Sequence, residues 1–137
     1  MATVTNTGNF SDDDLFTIDS ASPSLTTNSL PLTVTPTLTP TAAFVSGIVK
    51  YTFAIFNADT TTSYTPVQFQ DVFDSVHLTV LNTGAHAVTV TNGGAGYVID
   101  TTTTPGTVTI TGITIPQATG TAADSTTTVT VYCQVKA

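Results

Sequence analysis

A chain of 137 residues with two lysines, no arginine and a formal net charge of −7 has the length for one domain with a single core. It has almost no cations to displace counterions from a phosphate backbone or to meet an anionic bilayer, so nucleic-acid and membrane-surface partners are not expected. About a quarter of the residues are threonine, all nine acids are aspartate, and glutamate and tryptophan are absent. Threonine is β-branched and the strong helix formers are scarce, so an all-β domain follows. The hydrophobic share of 40% is enough for a core under a surface of neutral hydroxyls. No apolar run is long enough to span a bilayer.

The first six residues, Met1 to Asn6, have neither a basic region nor an apolar stretch, so no secretory signal is expected here. Either a signal has been trimmed, or the protein leaves by another route, such as lysis of a mother cell. Residues 1–31 read as an N-terminal extension. Within it Thr3–Thr7 has strand chemistry, Ser11–Asp14 is a polar break, and Ser20–Ser29 reads as a Ser/Thr/Pro/Asn loop. Val4, Phe10, Leu15, Phe16 and Ile18 are its candidates for assembly contacts. Such an arm can fold over its own domain or add a strand to a neighbour.

Residues 32–137 read as the domain proper. Leu32–Thr35 opens it, and Pro36 and Pro40 suit an edge strand or a bend. Gly47–Asn57 is the central strand: Val49, Tyr51, Phe53 and Ile55 form one wholly apolar face, and Ile48, Lys50, Thr52, Ala54 and Phe56 a mixed one. Ala58–Pro66 is a turn. Val67, Phe69 and Asp71 share a face, with a slip expected near Asp71. Val76–Leu81 is a strand ending in the hairpin signal Asn82-Thr83-Gly84. Ala87–Thr91 alternates up to the turn Asn92-Gly93-Gly94, Tyr97–Ile99 is short, and Thr101–Gly106 is a turn. Val108 and Ile110 differ in parity from Ile113 and Ile115, so a bulge at Gly112 is expected to restore the apolar face. Pro116–Ser125 is a loop. Thr126–Lys136 is the last strand, with Val129, Val131, Cys133 and Val135 on one face. Seven to nine short strands at these spacings predict a β-sandwich of immunoglobulin-like topology with an N-terminal extension. No internal repeat is evident.

From Leu32 onward the order of features resembles the conserved-repeat domain of unknown function eleven. The resemblance is carried by Leu32-Thr33-Val34-Thr35-Pro36-Thr37-Leu38-Thr39-Pro40-Thr41, Gly47-Ile48-Val49-Lys50-Tyr51-Thr52-Phe53, Asn57, Val67-Gln68-Phe69-Gln70-Asp71, Ile113-Thr114-Ile115-Pro116 and Thr126-Thr127-Thr128-Val129-Thr130-Val131. It covers about three quarters of the chain. Members are immunoglobulin-like sandwiches, often in tandem on bacterial and archaeal surface proteins. This chain departs from them in having one such domain and in rewriting the turn at Asn57 as Asn-Ala-Asp-Thr-Thr. The resemblance implies a structural or adhesive role and brings no catalytic residues. Similar proteins include subunits of clostridial spore appendages.

The chemistry-bearing residues read blandly. Asp12, Asp13, Asp14 and Asp19 lack the spacing of a calcium loop and read as a solvated acidic turn. His77 and His86 have no second ligand nearby in sequence. Cys133 reads as a small buried apolar residue, the alternative being an intermolecular link. Lys50 and Lys136 lie on the polar sides of their strands, which disfavours an isopeptide bond. No nucleophile elbow is present, so no enzyme and no cofactor are expected. The Thr-x-Thr pairs are spaced too irregularly for an ice-binding array. The reading is therefore a self-associating structural subunit of an extracellular or spore-surface filament, joined by strand addition of the arm. The alternative is a monomeric cell-surface adhesion or binding module whose loops Ala58–Thr65 or Thr101–Gly106 meet a surface glycan or protein.

Overall fold

The computed structural model describes residues 3–5, 9–11, 16–19, 24–26, 32–40 and 42–137. Four short strands precede the domain: β1 (Thr3–Thr5), β2 (Asn9–Ser11), β3 (Phe16–Asp19) and β4 (Ser24–Thr26). Then come β5 (Leu32–Thr39), β6 (Ala42–Ala43), β7 (Ile48–Asn57), β8 (Tyr64–Val72) and β9 (Leu78–Leu81). The chain closes with β10 (Thr89–Thr91), β11 (Val98–Asp100), β12 (Thr107–Ile115) and β13 (Thr126–Val135), with one helical turn at Ala122–Ser125 before β13.

The result is an all-β sandwich of immunoglobulin-like architecture, two sheets face to face whose strands within residues 32–137 pair antiparallel. One sheet has the order β10-β13-β7-β5, with β9 also on β13. The other has the order β11-β12-β8-β1-β4. From β7 onward the chain changes sheet at β7→β8, β8→β9, β10→β11 and β12→β13. A small third sheet, β2-β3-β6, joins the arm to the β5–β7 turn.

β7 sits between β13 and β5, as its wholly apolar face requires. Val49, Tyr51, Phe53 and Ile55 are buried, and so is Asn57 at the strand end. They meet Phe69 of β8, Val108, Ile110, Ile113 and Ile115 of β12, and Val129, Val131 and Cys133 of β13. Phe53 and Phe69 reach across the two sheets with ring centroids 5.0 Å apart, and Tyr51 meets Phe73 edge-on at 4.8 Å. The bulge stands where the parity change puts it. The β12–β8 register shifts between Ile110 and Ile113, Gly112 takes φ +78°, and all four apolar residues face inward.

Four expectations give way. The alternation of β8 runs through Asp71 without a slip, because Val67, Phe69, Asp71 and Phe73 are all buried; the carboxyl is carried into the core rather than turned out of it. Asn82-Thr83-Gly84 does not close a hairpin. β9 and β10 both lie along β13, with Leu81 opposite Tyr132 and Thr89 opposite Thr130, so residues 82–88 leave one edge and return to it. Asn82 holds that excursion by accepting the Val88 N–H at 2.9 Å. Within Ser20–Ser29, Ser24–Thr26 is strand β4 rather than loop. The strand expected from Val76 begins at Leu78, and Val76 itself is exposed.

Candidate functional site

A sandwich built of open sheets has edges, and each edge is a row of unpaired backbone groups that can pair with another chain. Within residues 32–137 the two sheets end at β5, at β9/β10, at β11 and at β8. β5 carries Pro36 in its middle, where a missing N–H breaks any outside ladder, as its sequence foretells. β9 and β10 are separated by the excursion of residues 82–88. β11 has three residues. β8 has nine, with Pro66 near its start and an unbroken run from Val67 to Val72. It is the long, plain edge of the domain.

That edge is where the arm lies. β1 runs parallel to β8, with Thr3 opposite Gln68 and Val4 opposite Phe69. β4 pairs antiparallel on the outer side of β1, with Val4 opposite Leu25. Of the other arm candidates, Phe10 pairs with Ile18 in the β2–β3 ladder, and Phe16 pairs with Ala43 of β6. Leu15 lies outside the described residues, as do Asp12, Asp13 and Asp14. The backbone therefore places Val4 on the β8 edge and Phe16 at the β5–β7 turn, with Phe10 opposite Ile18 in the β2–β3 ladder.

The two loops expected to meet a ligand are built alike and stand at opposite ends of the sandwich. Both contain Asp-Thr-Thr-Thr, at 59–62 and at 100–103. Asp59 Oδ1 accepts the N–H of Thr61 at 2.8 Å and of Thr62 at 3.1 Å, and its Oδ2 accepts the Tyr64 hydroxyl at 3.1 Å. Asp100 Oδ1 accepts the N–H of Thr102 at 2.8 Å and of Thr103 at 3.0 Å. Each is an aspartate turn that satisfies the loop backbone from within. Buried Asn57 locks the first loop to its neighbour. Its Nδ2 donates to Thr62 O and to Pro116 O, both at 2.9 Å, while its Oδ1 accepts the Asp59 N–H.

These bonds set the acid range of the loops. The bond from Thr61 N–H, the largest cause, holds the Asp59 carboxyl down at about 2, and a bond from the Thr103 side chain leads in holding Asp100 down at about 2. A depressed folded value means that the contribution of each carboxylate is fully present above the ordinary value near 4 and is lost as pH falls toward 2. Side-chain NMR titration of Asp59 and Asp100 is expected to give midpoints near 2; midpoints near 4 would show that the turns do not form.

The remaining candidates have structural explanations. His77 Nδ1 lies 2.7 Å from Asp74 Oδ2, and His86 meets the Tyr132 ring edge-on at 5.1 Å. Among the described residues no group of three or more His, Cys, Asp or Glu can hold a metal. Lys50 is exposed, and Lys136, also exposed, donates to Ser75 O at 2.6 Å, so neither amine is in the core where isopeptide chemistry would need it. Three of the Thr-x-Thr pairs share one sheet, with Thr89 and Thr91 opposite Thr130 and Thr128 and with Thr33 and Thr35 on β5, while Thr107 and Thr109 lie in the other sheet. Cys133 is fully buried, and burial first, with the nearby Asp71 charge second, pushes its thiol well above the ordinary range. The native protein is expected not to react with a thiol reagent such as Ellman's, and to give one equivalent on unfolding. Rapid native labelling would mean that Cys133 is accessible for a link between subunits.

Comparison with family models, with curated proteins and with solved structures finds no match. Among the described residues no helix is long and apolar enough to cross a membrane.

Proposed function

We propose that the chain is a structural subunit of an extracellular or spore-surface filament, a homopolymer in which the N-terminal arm of one subunit adds a strand to the β8 edge of the next. One observation carries this reading. The other domain edges have a proline, an interruption or a short strand, while β8 presents its longest plain run and the arm forms a strand upon it. A segment that closes its own edge can close the same edge on a copy, because the groups that pair are identical. The neutral threonine surface and the near absence of trypsin sites suit an exposed polymer, and the reading assigns no catalysis, cofactor, nucleic acid or membrane insertion. Negative-stain electron microscopy beside size exclusion tests it. Long regular fibres are expected, and a clean monomer at high concentration would contradict it.

The two internally braced aspartate loops favour a second reading, a monomeric adhesion module that meets a surface glycan or protein. It is marked by a partner-dependent rise in melting temperature of a soluble monomer.

A further inference from the structure

The filament reading leaves open what keeps a newly made subunit from joining its neighbours at once, and the arm's own pairing bears on this. We infer that the β1–β8 contact within one chain is a self-capped state, which holds the subunit as a monomer until its arm is exchanged for that of a neighbour. The inference rests on the filament reading and adds its regulation.

The contact has the properties of a cap. It occupies part of the longest plain run at a domain edge, so the isolated subunit presents less of that edge to other chains. Among the described residues it consists of two pairs, Thr3↔Gln68 and Val4↔Phe69, on a run Val67–Val72 of six. The pairing is parallel, which holds slightly less well per residue than antiparallel pairing. Its strength comes from tethering. Residues 6–31 connect β1 to the domain, so the arm meets its own edge at an effective concentration of millimolar order. A copy competes only when it is concentrated, or when its arm pairs over more of the edge. Capping in one chain and docking between chains are thus the same pairing under different competition, and assembly requires β1 to leave β8.

A cysteine pair at the first register position tests this. Strands in one sheet bring Cα atoms to about 4.8 Å, within the span of a disulfide. The full-length double variant Thr3→Cys/Gln68→Cys is refolded and oxidised in dilute solution, and the product is read on a non-reducing gel. The expected result is an intramolecular link, seen as a fast-running monomer, that abolishes fibre growth until dithiothreitol restores it. Wild type treated alike, with buried Cys133 as its one thiol, is expected to show no link. Failure to form the intramolecular link overturns the inference, and so does growth of the linked monomer at the rate of the reduced one. A parallel sample lacking residues 1–20 separates the two ideas. If it polymerises normally, the arm is not the joint and the filament mechanism fails. If it does not, and the full-length double variant forms links only between chains, the joint stands and only the self-cap fails; growth of the linked monomer would sink both.

Discussion

Removal of residues 1–20 is expected to leave a folded monomer that forms no regular fibres. The deletion takes away β1, β2 and β3 and leaves in place the buried cluster described between Leu32 and Val135. Far-UV circular dichroism should therefore still report β structure. The β8 edge would stand open, and an open edge of this length invites irregular association, so amorphous material is expected at high concentration in place of fibres. A synthetic peptide of residues 1–20 added in trans is expected to suppress that association by filling the edge. Val4→Pro is a milder version. Proline removes a ladder N–H in the middle of a three-residue strand, and it should weaken assembly. Fibres indistinguishable from those of the full chain would remove the arm from the mechanism.

Phe53→Ala is expected to be the most damaging single core change. Phe53 is fully buried on the central strand and packs against Phe69 of the opposite sheet. Truncating a buried phenylalanine costs about 3–5 kcal/mol, part of it the loss of an aromatic pair worth about 0.5–1.5 kcal/mol. Against a total of about 5–15 kcal/mol for an ordinary domain, that is a large share. A fall in the denaturant midpoint at unchanged slope measures it. A loss below about 1 kcal/mol would mean that the two sheets do not share this contact.

Much of this architecture is legible in the sequence because period-two burial is a strong signal. The apolar face of Gly47–Asn57 gives a central strand, the parity change around Gly112 gives a bulge, and Pro36 gives an edge. The errors have a common cause. Asn82-Thr83-Gly84 is a good local hairpin signal, but β13 is long enough for β9 and β10 to share one of its edges, and that long-range pairing decides the path. Asp71 obeys the alternation in the core, where its polarity argues locally for a slip. The twice-used Asp-Thr-Thr-Thr can be read from the letters, but its role as an aspartate turn depends on backbone geometry. The candidate edge is the least legible feature. The apolar residues of the arm are visible in sequence, whereas the choice of β8 as the acceptor of β1 depends on which other edges are blocked.

The central claim is that the arm of one subunit lies on the β8 edge of another. Assembled fibres of Thr3→Cys/Gln68→Cys, formed under reducing conditions, can then be oxidised and run on a non-reducing gel. Arms docked in trans at this register are expected to give a covalent ladder of dimers, trimers and higher species. Intact fibres that dissolve into linked monomers would place every arm on its own subunit and contradict the claim.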